Sequence, residues 1–350
     1  MASAVSQRRA YLDIAPGEAR GVVTLDGRPE HLILVRDEDD PRLEPGARIA
    51  ARVRKVEPAF ASAFVDLGEG LEGLMDYPPD RRPVEGQMLE VEVRAAPRPG
   101  KLAAVRGVGP AEAPVRLLSP APTLADRLAA LVRGGEVVTG PEARETADAA
   151  EAAALSPLHV LPGGGVLAIE PTRALVAVDV DLGPRKGPDP KSVLRQLNLT
   201  ALSETARLLR LKGLGGLVVI DLAGRGHDGT ALLNAARAAF AADQPGVAFG
   251  PVSRFGTLEF TVPRRTRALA EILLGPGGEP TDRTLAQRLV REAETAALVE
   301  TGRKVRIQAA PALAPLAWPL VDRLAGRMGA RFERTVEADW PRDRFEISLP

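Results

Sequence analysis

Cysteine is absent from the 350 residues. That excludes disulfides, thiolate zinc sites and cysteine nucleophiles, and it fits a cytoplasmic protein. A surplus of either charge is missing too: 46 basic residues balance 46 acidic ones. No bulk positive field advertises a nucleic-acid binder, so any such surface has to be local. No stretch approaches the roughly 18 apolar residues of a membrane span. The opening MASAVSQRRA lacks the apolar core of a secretory signal. The three histidines, His31, His159 and His227, are scattered. His227 follows the second acidic strand end closely, but a lone loop histidine is usually just solvated. LPGGGV and GPGGEP do not have the P-loop form. SRFG lacks the strand–turn–helix setting of a nucleophilic serine.

What is present has the composition of a globular protein, with 45% hydrophobic and 26% charged residues. The length suits two or three folded units. The run YLDIA, ARGVVTLDG, PEHLILVRD alternates as strands, with Asp26-Gly27 as a hairpin turn. Residues 45–107 read as five short strands with turns between, which suggests an OB-type barrel. Residues 108–122 are rich in proline and alanine and read as a linker. Residues 123–165 give a helix, a strand, a second helix and the turn Pro162-Gly163-Gly164-Gly165. Residues 166–274 read as an α/β unit, and 275–281 as a Gly/Pro hinge. Residues 282–350 give helix, strand, helix and two strands. The fold class expected is therefore multidomain, α/β and α+β.

The most informative stretch is VLAIEPTRALVAVDVDLG together with RLLRLKGLGGLVVIDLAG. Ala174 to Asp181 alternates as a strand does. Ala177, Asp179 and Asp181 fall on one face, and Val176, Val178 and Val180 on the other. Asp189-Pro190 offers a helix N-cap with proline at the first helical position. Val193, Leu194, Leu197, Leu202, Ala206 and Leu209 recur at helical spacing, and Gly213 ends the helix. Leu217 to Ile220 reads as a buried strand of a parallel sheet. Neighbouring strands lie about 5 Å apart. Asp179 and Asp221 would then meet at the carboxyl edge, where open α/β sheets bind ligands. Two carboxylates so close repel unless a cation sits between them. Magnesium suits such a pair, because it takes one or two carboxylates and keeps several waters. The plainer alternative is that each aspartate forms a turn or caps a helix.

These residues resemble the ribonuclease E/G family. VEPAFASAFVDLGEGLEGLM is similar to that family's S1-type RNA-binding barrel. DIAPGEARGVVTLDGRPEHLILVRDE resembles its N-terminal hairpin. RALVAVDVD, LRLKGLGGLVVIDL and SRFGTLEF resemble its catalytic core, and LGGLVVID and SRFG are the most specific matches. The resemblance implies an RNase H-like subdomain (1–38 and 123–165) interrupted by an S1-type OB barrel (45–107). A DNase I-like catalytic core (166–274) and a small α+β module (282–350) would follow. It implies magnesium-dependent endonucleolytic cleavage of single-stranded RNA, leaving a 5′ phosphate and a 3′ hydroxyl.

On the same resemblance, Asp179 and Asp221 match the magnesium-binding aspartates. Asp181 stands where the family usually has an asparagine that supports them. The family's further acid three residues after Asp221 is Gly224 here, in a loop that looks shortened. Arg254 of SRFG is kept and would contact phosphate or brace the site. Phe64 matches a base-stacking phenylalanine and Lys101 a basic contact residue. A second stacking aromatic is replaced by Leu74, with Phe60 or Tyr77 as partial substitutes. Arg48, Arg52, Arg54 and Lys55 would line the groove, since single strands are held by stacking and basic side chains. Without the resemblance, Phe64 reads as a barrel core residue and the arginines as a solvated face. The family's 5′-phosphate sensor and its cysteine zinc link have no counterpart. A monomer or simple dimer follows, without a zinc-linked oligomer and without a membrane. A non-catalytic RNA-binding paralogue is the rival reading, favoured by Asp181, Gly224 and Leu74. A DNA-processing nuclease is weaker, because nothing favours deoxyribose.

Overall fold

Asp26 and Gly27 sit at φ 51° and 77°, as a two-residue I′ hairpin turn requires. They join β2 (Glu18–Leu25) to β3 (Arg28–Arg36), and β2 also pairs with β1 (Arg8–Ala15), which completes an antiparallel meander. This computed structural model describes residues 7–185, 187, 189–300 and 302–350. The first residues of the chain, on which the expectation about a secretory signal rests, lie outside the described set. Among the described residues the protein is mixed α/β, with a closed five-strand barrel and three further sheets. No helix among them is long and apolar enough to cross a membrane.

The barrel interrupts the first sheet. Its strands are β4 (Arg48–Glu57), β5 (Ser62–Gly68), β6 (Leu71–Asp76), β7 (Met88–Ala95) and β8 (Ala103–Pro110). They close in the order β4-β5-β6-β8-β7-β4, with β6 and β8 parallel. Ile49, Val53, Val65, Leu67, Val91 and Val93 fill the interior, alternating with outward residues at the strand period of two. The stretch expected as a linker is not free: β9 (Arg116–Ser119) pairs with residues 48–50 of β4. β5 covers β4 only from Arg52 onward. The preceding backbone groups need partners, and β9 supplies them although Arg-Leu-Leu-Ser is too short to announce a strand.

After the barrel the chain returns to the first sheet. Helix α1 (Leu124–Leu131) starts at Thr123, whose side chain and that of Asp126 form a capping box. Strand β10 (Val137–Thr139) then pairs parallel with β1, so segments from both sides of the barrel build one sheet, β10-β1-β2-β3. Helix α2 (Pro141–Leu155) buries Ala143, Ala147, Ala150 and Ala154 against it, and Leu128 of α1 packs with Ala10 and Val23 on the other side.

The largest sheet contains β11 (Leu158–Val160), β12 (Val166–Pro171), β13 (Val176–Asp181), β14 (Gly216–Asp221), β15 (Ala248–Val252) and β16 (Thr257–Val262). Its order is β11-β12-β13-β14-β16-β15. Strands β13 and β14 pair parallel, joined by the crossover helix α3 (Pro190–Lys212). Asp189 caps that helix by accepting the Lys191 and Ser192 N–H groups, and Gly213 ends it at φ 67°. Val176, Val178 and Val180 are buried towards α3, while Asp179 and Asp181 point away and are exposed. Leu197, Leu202, Leu208 and Leu209 of α3 share one cluster with this sheet and with Tyr11, Val22 and Leu32 of the first sheet. Each such side chain contributes about 1.5–3 kcal/mol on burial, so α3 joins the two sheets as well as crossing between strands. Helix α4 (Gly229–Ala239) follows β14 and buries Leu232 and Ala236.

The short helix α5 (Leu269–Leu273) leads to the C-terminal module. Its order is α6 (Asp282–Val299), β17 (Val305–Ala309), α7 (Ala314–Met328), β18 (Phe332–Val336) and β19 (Phe345–Ser348), the helix, strand, helix and two strands expected. Buried ion pairs hold it to the first sheet. Arg291 of α6 reaches Glu18, which also binds Arg36 at 2.9 Å. Arg144 of α2 spans Asp13 at 2.9 Å and Glu294 of α6 at 2.6 Å. Arg20 holds Asp13 at 2.6 Å and Glu151 at 3.2 Å. At the β1–β2 turn Gly17 has φ +87°, and a Cβ there would lie 2.5 Å from Gln287 Nε2. A side chain at position 17 would drive the module off the hairpin.

Candidate functional site

The crossover sets Asp179 directly opposite Asp221 in the register of β13 and β14. Both carboxylates are exposed at the carboxyl ends of the two strands. Neither has an ion pair or a hydrogen-bond donor among the described residues. Unneutralised carboxylates on adjacent strands favour a shared cation. Asp181 lies two residues beyond Asp179 on the same face, and its Oδ1 accepts the Gly183 N–H at 2.9 Å. That turn fixes one of its oxygens. Among the described residues no three His, Cys, Asp or Glu side chains converge as a ready metal cluster. The donor set is thus the facing pair, with Asp181 alongside.

Two loops frame the pair. The first leaves β14 at Asp221, and Asn198 of α3 clamps it. The Asn198 amide donates to the Ala223 carbonyl at 3.0 Å and accepts the Ala223 N–H at 3.0 Å. Gly224 follows at φ +87°, where a Cβ would sit 2.7 Å from Leu194 Cδ1. The loop lies against α3, so a side chain at position 224 would need a left-handed backbone and a shift of Leu194. The second loop is the turn between β15 and β16. Thr257 stands opposite Asp221 in register. Ser253 Oγ lies 2.8 Å from Thr257 Oγ1, and the Gly256 carbonyl accepts the Leu222 N–H at 3.2 Å. These bonds hold Arg254 next to the end of β14. Its guanidinium stacks 4.7 Å above Phe255, which is 78% exposed. His227 is half-buried, with its Nε2 enclosed and without a hydrogen-bond partner, and Gly256 lies against it. The expectation of a solvated histidine is corrected: the loop folds back over the ring.

On the barrel, Phe64 lies between Lys55 and Leu74 across three strands. It is half-buried, Leu74 is 36% exposed, and Phe60 is 80% exposed on the turn between β4 and β5. Tyr77 does not share this surface. It is 9% exposed and its hydroxyl is enclosed, so it belongs to the barrel interior. Arg52 and Lys101 are exposed and make no ion pair among the described residues, whereas Arg54 binds Asp66 and Lys55 binds Glu57 at 2.5 Å. Arg48 is held by Glu90 at 2.7 Å. No hydrogen bond or ion pair among the described residues joins the barrel group to the core group. Asn198 and Phe255 were missed from the sequence, where His227 reads as a solvated loop residue.

Residues 144–266 match the family model described as Ribonuclease E/G family. This segment is similar to the ribonuclease E/G family. It spans α2, the six-stranded sheet, both framing loops and the facing aspartates. Ribonuclease E of Escherichia coli strain K12 is 33% identical over 155 residues, covering 41% of this chain and 15% of that protein. Ribonuclease E of Buchnera aphidicola subsp. Acyrthosiphon pisum is 33% identical over 157 residues, covering 42% of this chain and 17% of that protein. A chloroplastic ribonuclease E/G-like protein of Arabidopsis thaliana is 32% identical over 106 residues, 29% of this chain and 11% of its own length. The chain therefore spans under a fifth of each of these relatives.

Proposed function

We propose that this chain is a magnesium-dependent endoribonuclease acting on single-stranded RNA. The observation that carries the reading is the facing pair Asp179 and Asp221, exposed, unpaired and in register at the end of a crossover. The pair fits magnesium, which accepts one or two carboxylates and retains waters. Asp179 and Asp221 would hold the ion, which when bound supplies a Lewis acid and a more acidic water. Asp181, with one oxygen tied to Gly183, orients the other towards the pair. Arg254 holds a phosphate oxygen near the end of β14. Water attacks phosphorus and the P–O3′ bond breaks, which leaves a 5′ phosphate and a 3′ hydroxyl.

In this reading the closed barrel is an S1-type OB domain. The sheet β10-β1-β2-β3 is RNase H-like, the six-stranded sheet with α3 and α4 is DNase I-like, and residues 282–350 form a small separate domain. Phe64 stacks a base, and Lys101, Arg52, Arg54 and Lys55 follow the backbone. The chain works in the cytoplasm as a monomer or simple dimer, without a zinc link and without a 5′ sensor. An RNA pair differing only in 5′ monophosphate or hydroxyl should be cut at equal rates.

A second reading, a non-catalytic RNA-binding paralogue, is favoured by Gly224. The resemblance implies an acid there, and a side chain at Gly224 would meet left-handed strain and contact with Leu194. Cleavage of single-stranded RNA with and without magnesium separates the two, using wild type, Asp179→Asn and Asp221→Asn. Magnesium-dependent cutting lost in both variants, with binding retained, supports the enzyme. Binding without cutting by the wild type supports the paralogue.

A further inference from the structure

A cavity of about 280 Å³ lies between the first half of α3 and the loop that leaves β14 at Asp221. Lys191 and Arg195 line it from the helix, and Arg225 from the loop. All three are exposed, and none makes an ion pair or a side-chain hydrogen bond among the described residues. Asp228 is the one carboxylate in the lining, and its Oδ1 is engaged by the Ala231 N–H at 3.0 Å. His227, with its enclosed and unpartnered Nε2, forms part of the wall. Asn198 fixes the loop on the helix, so the cations of the two elements are held on opposite sides of one opening. Three unneutralised cations kept close together repel one another, and an anion between them relieves that repulsion. The loop that carries Arg225 leaves β14 at Asp221, so the cavity opens at the same carboxyl edge of the sheet, on the face that α3 covers.

We propose that this cavity is a subsite for a backbone phosphate of single-stranded RNA, held by Lys191, Arg195 and Arg225 next to the Asp179–Asp221 edge. The proposal rests on the RNA reading given above. It places part of the grip on the strand in the core, independently of the barrel.

Salt dependence separates this contact from base stacking. Each phosphate neutralised on a single strand adds about 0.7 to the slope of log affinity against log salt. A fluorescein-labelled oligoadenylate is titrated in EDTA, so that no cutting intervenes, at several salt concentrations. The Lys191→Gln/Arg195→Gln/Arg225→Gln chain should lose about 0.7 from the magnitude of that slope, the share of one phosphate. Phe64→Ala should weaken binding and leave the slope unchanged. Arg225→Glu alone should lower the affinity further than Arg225→Gln, and matched circular dichroism and melting curves show that each variant folds. If the triple variant keeps the wild-type slope while Phe64→Ala still weakens binding, the subsite is wrong and the RNA reading stands. If the wild type does not bind the oligonucleotide, both fall. A parallel titration with AMP and with inorganic phosphate tests the other source of the anion. Tight AMP or phosphate binding lost in the triple variant, with an unchanged RNA slope, would make this a small-molecule pocket and overturn the proposal.

Discussion

The barrel and the edge of the core sheet both present basic side chains, but the barrel pairs several of them and leaves Arg52 and Lys101 free among the described residues. On the barrel Arg48 has Glu90 at 2.7 Å and Lys55 has Glu57 at 2.5 Å, while Arg94 and Arg106 share Glu92 at 2.9 and 2.8 Å. Arg54 is paired with Asp66. At the core edge Lys191, Arg195, Arg225 and Arg254 have no such partners among the described residues. A chain of zero net charge thus gathers local positive charge by pairing it away in one place and leaving it unpaired in another. The acids Asp179 and Asp221 sit beside the unpaired group. The barrel offers Phe64 and Phe60 as apolar platforms, and the core edge offers charge, together with Phe255. In the proposed reading, stacking falls to the barrel and phosphate contacts to both units of the chain.

The division can be tested at four levels. The largest effect is expected at the acidic pair. Asp179→Asn or Asp221→Asn should slow magnesium-dependent cleavage about 1,000-fold, or about 4 kcal/mol, since a metal supplies several kcal/mol to charge stabilisation. Binding of the same RNA should hold, and EDTA should reproduce the loss in the wild type. Equal cutting by either variant would remove the pair from the chemistry.

Next comes the loop between the two cation groups of the core. Gly224→Ala combines φ +87° with a Cβ 2.7 Å from Leu194, and it should lower stability by about 2–4 kcal/mol from left-handed strain plus overpacking. Gly70 on the barrel has φ +81° and open space around it, so Gly70→Ala should cost only about 1–2 kcal/mol, the strain alone. Denaturant midpoints compare the two, and equal losses would mean that the core loop is not held tightly against α3.

Phe64→Ala should weaken single-strand binding by about 1–3 kcal/mol, or about 5- to 150-fold, as a lost stacking platform does. No change would return Phe64 to a purely structural role. The smallest effect is expected from Asp66→Asn, which releases Arg54. Exposed pairs are worth under about 1 kcal/mol, so RNA affinity should rise by no more than about fivefold. A larger gain would mean that pairing, not position, limits the barrel's hold on RNA.

Much of this arrangement was legible in the chain. Alternation from Val176 to Asp181, the Asp189-Pro190 cap and Gly213 specify β13 and α3, because backbone geometry repeats at a period the residues display. A parallel neighbour for β13 followed from the apolar run before Asp221, and the register then brings the two aspartates together. Asp26-Gly27 marked its hairpin for an equally local reason. Strand β9 was not legible, since it forms to satisfy open backbone groups of β4. Tyr77 looked available and is enclosed, because its exposure depends on where the barrel closes.

The sequence by itself determined the elements, their caps and the two acids at strand ends, all set by neighbours a few residues apart. Only the tertiary structure decided which cations remain free, since Arg54 and Asp66, or Arg291 and Glu18, meet through folding and not through proximity in the chain. It alone presses Gly224 onto Leu194 and opens the cavity beside Arg225. Periodicity is a local property of a polypeptide, whereas charge neutralisation and enclosure depend on every segment that packs nearby.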